Sequence, residues 1–488
     1  MHVNRREFLR KSICAALGGV SLYSALGNLR LIGVAAAAQR PTGFADYKAL
    51  VCVYLYGGND SFNTIVPISG ADRTNYEASR GSLALPTAGL VPLNPVAGPA
   101  NYGLHPSMPE LANLFNTGKA TIVANVGSLL YPITQAEYQD GTVPTPAQLF
   151  SHDDQTTQWQ TSRPDDPNAN GWGGRIADLL YSVNPGQVPM SITMAGDNRF
   201  QRGAIVSQYS VDSWGAARAA TGDPDYGPFS VTTMSYLGEG PESWMLNPWA
   251  DENVIANDQA AYDALIASGT QAHVLERAFA DSATRTMANS TLINNALNGV
   301  TLATPFPDTD LGNQLAAVAM LIKVRQALGM SRQIYFVAVG NYDTHDTQLA
   351  DQASNLAELS QGLAAFYAAT VELGIADGVT AFTASDFGRS LAVNGDGTDH
   401  GWGGHHFVVG GAVRGQRFYG EMPSLAQYDD DHPGSNPDDT GYGQIIPKLA
   451  VDQYAATLAS WFGIDAGGVN DIFPNLGRFP SSNLGFMT

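Results

Sequence analysis

The sequence predicts an α/β fold, in which a mostly parallel central sheet is sandwiched by helices and carries a helical insertion. Several apolar runs lack polar residues, as expected for strands that are buried on both faces. Amphipathic helical segments alternate with these runs, which is typical of a parallel sheet. Acids and histidines follow or precede the runs directly, and open α/β sheets carry their functional sites at strand ends. These three observations predict the fold class and place the candidate functional site at the strand ends.

The strand candidates are short apolar segments with a polar or glycine-rich end. The first is Ala49–Tyr56, which ends in the sequence Gly-Gly-Asn-Asp at positions 57–60. Glycines at that point let the chain turn sharply and bring a ligand close to the backbone. The others are Ala120–Gly127, Val188–Met194, Ile334–Val339, Val379–Thr383 and Phe407–Val409.

The helix candidates place their apolar residues on one face at helical spacing. They are Pro106–Phe115, Leu311–Leu328, Leu356–Tyr367 and Asp452–Phe462, the last with Gly463 as its stop signal. Residues 201–304 have a weaker strand pattern and more Ala, Ser and Asn. This composition predicts a largely helical insertion or cap on the sheet.

The first 38 residues predict an export signal. Arg5 and Arg6 precede Phe-Leu and further bases, a weakly apolar stretch follows, and Ala35–Ala38 offers an Ala-x-Ala cleavage site. This arrangement resembles a twin-arginine signal, which is an address read by the export machinery. Arg30 interrupts the apolar stretch, so no stable membrane span is expected. The mature α/β domain then covers residues 39–488 and is periplasmic or secreted.

Composition and charge narrow the function further. The chain has 488 residues, is 44% hydrophobic and carries a formal net charge of -20. Such a length allows a large core, and such a charge repels nucleic acid and anionic lipid. Of the two cysteines, Cys14 lies in the signal and Cys52 lies inside the first strand candidate. A disulfide framework and a thiolate metal cluster are therefore excluded.

A group of histidines and acids indicates a divalent metal site. Four of the nine histidines fall between positions 345 and 406 and alternate with aspartates. Imidazole and carboxylate are the ligands that hold metals for hydrolytic chemistry. A lone histidine is more often structural, but acids and histidines at four strand ends together favour a metal site. The candidate ligands are Asp60, Asp343, His345, Asp386, Asp399, His400 and His405, with His406 as a rival to the last two.

Three further residues are candidates for catalysis. Ser151 with Asp154 three positions later is a helix N-cap pair, and a hydroxyl at a helix N-terminus is equally suited to act as a nucleophile. His152 is either a metal ligand or a base. Arg389 follows Asp386 by three residues, and it is suited to pair with a carboxylate or to hold an oxyanion.

The motifs in combination resemble the bacterial family called domain of unknown function 1501, and that family looks like a branch of the alkaline phosphatase and sulfatase superfamily. The resemblance rests on the twin-arginine start, on Gly-Gly-Asn-Asp at 57–60, on Leu-His-Pro at 104–106 and Ser-His at 151–152, and on Asp-Thr-His at 343–345, Ser-Asp-Phe-Gly-Arg at 385–389, Thr-Asp-His-Gly at 398–401 and the glycine-rich segment 410–415. It implies an alkaline phosphatase-like sheet with metal at its carboxyl edge. Asp60, Asp343, His345, Asp386 and His400 would be ligands, and Ser151 would be the nucleophile.

The chain departs from that superfamily at one ligand position. Phe387 stands where sulfatases and phosphodiesterases carry a histidine after the aspartate. Either a second metal ion is absent, or Asp399 and His400 supply the ligand from another loop. No Cys-x-Pro-x-Arg sequence occurs, so an oxidised cysteine nucleophile is excluded.

The expected function is an exported hydrolase of phosphate or sulfate esters that uses one or two divalent ions (Zn, Ca, Mg or Mn) and acts on a small or polymeric anionic substrate. One alternative is a non-catalytic exported envelope or polymer-binding protein that keeps the fold, which Phe387 favours. A further alternative is a metal-free serine carboxylesterase, against which the absence of Gly-x-Ser-x-Gly around Ser151 counts.

Overall fold

A computed structural model of the chain describes residues 43–211, 285, 288–429, 431 and 435–488. The predicted export signal and most of the predicted insertion, from residue 212 to residue 284, lie outside the described residues. Within the described part of the chain, no helix is both long and apolar enough to cross a membrane.

The strands form one large sheet and two small ones. In chain order they are β1 (Lys48–Leu55), β2 (Ile65–Pro67), β3 (Val91–Pro92), β4 (Tyr102–Leu104), β5 (Ala120–Gly127), β6 (Ser191–Thr193), β7 (Tyr209–Ser210), β8 (Arg332–Val339), β9 (Val379–Ser385), β10 (Arg389–Asn394), β11 (Gly397–His400), β12 (Gly404–Gly410), β13 (Phe418–Tyr419) and β14 (Leu449–Ala450). The large sheet has the order β13-β5-β12-β9-β1-β8-β6-β7, and β14 pairs with β5. All of its pairings are parallel except the two made by β12, so the predicted mostly parallel sheet is confirmed.

Helices cover both faces of this sheet. They are α1 (Ser61–Thr64), α2 (Gly70–Arg80), α3 (Pro109–Asn116), α4 (Gln135–Gln139), α5 (His152–Thr161), α6 (Trp172–Leu179), α7 (Asp310–Lys323), α8 (Gln348–Glu372), α9 (Val451–Phe462) and α10 (Ala466–Ile472), and residues 288–297 are also helical. The four predicted helices are confirmed as α3, α7, α8 and α9.

The central strand β1 shows how the apolar run produces two cores. Side chains alternate across a strand, so Val51 and Val53 pack in the core under α3, α7 and α8. Cys52 and Tyr54 pack in the opposite core, under α5, α6 and α9. Both faces are therefore apolar, which explains why β1 has no polar alternation.

Strand register brings the functional segments to one edge. Leu55, the last residue of β1, pairs with Val339 at the end of β8 and with Ser385 at the end of β9. The loops that follow these strands therefore leave the sheet side by side. Because β12 runs antiparallel to β9, its first residues return to the same edge.

The hairpin of β10 and β11 was not predicted, and it has a role at this edge. Arg389 pairs with His400 in its antiparallel register. This pairing places a residue that follows β9 directly beside one that precedes β12. The hairpin is short and irregular, so its sequence carries little strand signal.

Candidate metal centre

Four side chains from three segments meet at the carboxyl edge of the sheet. Asp343 and His345 follow β8, His400 ends β11, and His152 is the first residue of α5. We call these four residues the His/Asp cluster. Their side chains are between 25% and 44% exposed, so the cluster opens to solvent on one side.

The potential ligand atoms of the cluster converge. His400 Nε2 lies 3.0 Å from His152 Nε2 and 3.0 Å from His345 Nε2. Asp343 Oδ1 lies 3.3 Å from His400 Nε2 and 3.0 Å from His345 Nε2, and Asp343 Oδ2 lies 3.4 Å from His152 Nε2. Suitable atoms of His152, Asp343 and His400 all lie within 4.8 Å of one another, close enough to share one ion. The structure therefore brings together residues that span 249 positions of the sequence.

The opposite ring nitrogen of each imidazole faces an acceptor. His400 Nδ1 donates to the carbonyl oxygen of Phe150 at 2.7 Å. His152 Nδ1 lies 2.8 Å from Asp386 Oδ2, and His345 Nδ1 lies 3.3 Å from Asp399 Oδ1. An imidazole that donates through Nδ1 presents a lone pair on Nε2 when it is neutral. The Nε2 lone pairs of His152 and His345 thus both face His400 Nε2 and the Asp343 carboxylate, an arrangement that a cation stabilises.

The surroundings change the proton affinities of the cluster in different directions. The hydrogen bond to Asp386 raises the pKa of His152, although burial opposes this effect. Desolvation lowers the pKa of His400, which favours its neutral, metal-binding form. Burial opposes ionisation of Asp343, but the hydrogen bond and charge of Arg389 outweigh burial and lower the pKa of this carboxyl.

The buried side chain of Arg389 supports the His/Asp cluster by pairing with Asp343. Its side chain is fully buried, and its Nη1 donates to Asp343 Oδ1 at 2.7 Å and to the carbonyl oxygen of Gly57 at 3.1 Å. It also donates to Thr398 in the hairpin. Of the two predicted roles, the structure assigns the pairing with a carboxylate. All of its described contacts are internal, so we do not place it on a substrate anion.

Asp60 lies outside the cluster. Its Oδ1 accepts from the backbone N–H groups of Phe62 and Asn63 and so caps α1. Its Oδ2 pairs with the buried guanidinium of Arg80 and accepts a hydrogen bond from Gln348. Because both oxygens are engaged by hydrogen-bond donors, we leave Asp60 out of the candidate metal centre.

Phe387 fills the space behind two of the histidines. Its ring is 1% exposed and lies 4.9 Å from the ring of His152 and 4.8 Å from that of His400, measured between centroids. Gly58 makes this packing possible, since a Cβ at that position would lie 2.3 Å from the Phe387 ring. Gly58 also has a φ of 84°, a backbone angle that residues with a side chain rarely adopt.

β12 begins at Gly404, three residues before the predicted strand Phe407–Val409, so His405 and His406 lie within it. His405 Nδ1 accepts from the backbone N–H of Asn125. His406 lies on the other face of the strand and packs on Trp159 and Tyr454. Burial lowers the pKa of His405 to about 4 and that of His406 to about 3, so both are neutral core residues. Neither ring contacts the His/Asp cluster, because successive side chains of a strand point to its two buried faces.

Two other candidates lie at the border of the cluster. Ser151 is the N-cap of α5, and its hydroxyl hydrogen-bonds to Asp154 Oδ2 at 2.7 Å. Asp399, 57% exposed, accepts from Asn394 and faces Nδ1 of His345, so it holds that ring on the side away from the cluster.

Two residues that contribute to the site, Phe150 and Arg80, were not predicted. A backbone carbonyl carries no residue signal, and Arg80 lies in a helix far from the cluster in sequence.

A comparison with known families bears on the second half of the chain. Residues 245–461 match the family of proteins of unknown function DUF1501. The DUF1501 match covers a little under half of the chain and includes Asp343, His345, Asp386 and His400, while His152 lies before it. It supports the family resemblance, whereas the relation to alkaline phosphatases stays a prediction. No curated protein matches the chain.

The donors of the cluster fit a transition-metal ion. Two imidazoles and one carboxylate within sharing distance, with a third imidazole beside them, suit zinc or a similar first-row ion, whereas calcium and magnesium prefer oxygen ligands. The cluster lies beside solvent, so a ligand position can stay open, as in catalytic zinc sites. Of the four ions named from the sequence, zinc and manganese therefore fit these donors better than calcium and magnesium.

Proposed function

We propose that the protein is a metal-dependent hydrolase of phosphate or sulfate esters. The observation that carries this proposal is the convergence of His152 Nε2, His400 Nε2 and the Asp343 carboxylate, which lie close enough to share one ion at a partly exposed point. A bound divalent ion supplies Lewis-acid activation of water and of an ester oxygen. His152, Asp343 and His400 would hold it, and His345 lies beside them, 3.0 Å from His400 Nε2.

The cluster supports binding of one ion. A second ion next to Asp60 would compete with the Arg80 guanidinium, which already neutralises that carboxylate. Phe387 brings an apolar ring to the position where the superfamily supplies a second imidazole. Arg80 and Phe387 are both buried. With them in place the site lacks the donors for a second ion, while the Asp60 carboxylate still has a countercharge.

Water, not Ser151, is the nucleophile in this proposal. The Ser151 hydroxyl is engaged with Asp154 and caps the first turn of α5. Its role is to start the helix that presents His152. No step of the reaction then needs a covalent intermediate on serine.

The substrate would depend on the ion for its binding. Arg389 is buried beneath Asp343, and the exposed Asp399 adds negative charge at the rim. An anionic ester would therefore be attracted by the ion itself and not by a cationic side chain. Removal of the ion is expected to weaken substrate binding as well as to stop turnover.

Metal analysis combined with ester assays tests the proposed function. The purified protein is expected to hold about one zinc or manganese ion per chain, because the structure offers one donor set. It should hydrolyse bis(4-nitrophenyl) phosphate, 4-nitrophenyl phosphate or 4-nitrophenyl sulfate, lose this activity with a chelator and regain it with one equivalent of Zn²⁺ or Mn²⁺.

A neighbouring aspartate provides a matched control. Asp346 is exposed on the same loop as Asp343 and His345. Asp346→Asn should keep the bound ion, whereas Asp343→Asn should lose it. Chelator-insensitive hydrolysis of 4-nitrophenyl acetate by a metal-free protein would instead support the carboxylesterase alternative. A bound ion without any turnover would support the non-catalytic alternative.

A serine substitution separates the two choices of nucleophile. Ser151→Ala is expected to reduce stability by about 1 kcal/mol through loss of the helix cap, while kcat falls by less than about tenfold. Thermal unfolding and steady-state kinetics of the variant measure both effects. A fall of kcat by about 10³-fold or more with the ion still bound would make Ser151 the nucleophile and contradict the water route.

The proposed location rests on the N-terminal sequence alone. The paired arginines and the Ala-x-Ala site support export by the twin-arginine machinery to the periplasm or beyond. A protein that is exported in the folded state would acquire its ion before translocation.

A further inference from the structure

Asp386 differs from the other acids near the His/Asp cluster in its burial. Its side chain is 3% exposed. Its Oδ2 accepts from the backbone N–H of Gly57 at 2.9 Å and lies 2.8 Å from His152 Nδ1. Its Oδ1 is buried and has no hydrogen-bond partner among the described residues. A buried carboxylate is costly to maintain unless a partner compensates for its charge.

The position of Asp386 relative to the His152 ring distinguishes two possible roles. It contacts Nδ1, whereas the cluster converges on Nε2. The two ring nitrogens point to different sides of an imidazole. Asp386 therefore lies behind His152 as seen from the cluster, and the group of atoms close enough to share an ion does not include it.

We propose that Asp386 is a positioning residue that orients His152 and keeps its Nε2 lone pair available to the ion, and that it is not itself a metal ligand. This inference rests on the proposed function. A carboxylate on the outer nitrogen of a metal-bound histidine sets its tautomer, holds the ring and makes the inner nitrogen a better donor.

The backbone around Gly57 holds Asp386 in this position. The N–H of Gly57 binds Asp386, and its carbonyl oxygen accepts from Arg389, which in turn binds Asp343. A Cβ on Gly57 would lie 2.3 Å from the backbone nitrogen of Asp343, and its φ is 113°. Gly57 thus links Asp386, which contacts His152 Nδ1, to Asp343, which lies near His152 Nε2.

Zinc affinities in a double-mutant cycle test the inference. We expect Asp386→Asn to weaken Zn²⁺ binding by about 10- to 100-fold relative to wild type, as measured by competition with a chelator. If Asp386 acts through His152, the same change made in His152→Ala should have no further effect. Equal losses in both backgrounds would show that Asp386 acts independently of His152, as a ligand would, and would overturn the inference.

A second buried aspartate is the matched control. Asp452, in the first turn of α9, is 1% exposed and also has an unpartnered buried oxygen. Asp452→Asn changes a buried carboxyl, whose pKa burial raises to about 7, away from the cluster, and it should leave the Zn²⁺ affinity unchanged. An equal loss of affinity in this control would indicate a general packing effect and contradict the specific role of Asp386.

The cycle also separates this inference from the proposed function. A wild-type protein that binds no Zn²⁺ overturns both. Tight binding by wild type combined with an unchanged affinity in Asp386→Asn overturns the positioning role alone. Melting temperatures of the metal-free variants show whether each has kept its fold.

Discussion

His400→Ala is expected to have the largest effect on activity of any single change in the cluster. His400 Nε2 is the atom that contacts all three other members, at 3.0–3.3 Å. Its removal takes away the donor that lies between His152 and His345, so that only Asp343 still contacts both. We expect kcat/KM to fall by about 10³-fold or more, since metal activation contributes several kcal/mol and each 1.4 kcal/mol is a factor of about ten.

The measurement pairs steady-state kinetics with metal content, and His105→Asn is the control. His105 is buried at the end of β4, where its Nδ1 accepts from the backbone N–H of Ser107. An asparagine oxygen can accept the same hydrogen bond. The control should keep its ion and its activity. If His400→Ala retains one ion per chain and near-normal turnover, the cluster is not the catalytic site.

Arg80→Met is expected to have the largest effect on stability. The Arg80 side chain is fully buried, pairs with the equally buried Asp60 and donates to the carbonyl oxygens of Ser390 and Leu391. Its removal leaves a buried carboxylate without a countercharge. Breaking a buried pair in this way typically costs about 3–5 kcal/mol, which should appear as a lower urea midpoint.

Removal of both charges tests whether the pair itself causes the loss. The double variant Arg80→Met, Asp60→Asn should recover part of the stability lost by Arg80→Met, because no unpaired charge remains. Arg202→Met breaks the exposed ion pair with Asp197 and should cost less than about 1 kcal/mol. If Arg80→Met is as mild as this surface control, the pair with Asp60 is not a major source of stability.

The Arg80 variants also report on the number of ions. If Arg80 takes the place of a second cation, the metal content of wild type stays near one ion per chain. A ratio near two, with one ion lost on Asp60→Asn, would show that Asp60 binds metal and that its pairing with Arg80 gives way on loading.

Much of the fold follows from local sequence. The apolar runs of β1, β5 and β8 and the amphipathic periods of α7 and α9 are strong local signals, and the structure places elements within a few residues of each prediction. Burial on both faces removes polar residues from such strands, so their composition alone identifies them. The predicted export signal, by contrast, lies outside the described residues.

The candidate site was less accessible to sequence reasoning. Asp343, His345 and His400 were predicted as ligands and do lie in contact, but His152, which shares the candidate ion with Asp343 and His400, was expected as either a ligand or a base. Asp60 matched a metal-binding motif, yet a buried arginine that lies 20 residues later engages its carboxylate. No local pattern links those two residues, because their contact depends on how α2 packs against β10.

The sequence by itself determined the fold class, the edge of the sheet that carries polar chemistry and the residue types available there. These properties follow from composition and periodicity within short segments. The tertiary structure decided which of those residues share a point in space and which are used in the core. His400 and His405 illustrate the difference, since one ends a hairpin at the open edge and the other begins a buried strand only five residues later. Register and packing between distant segments separate them, and neither is encoded in the few residues around each histidine.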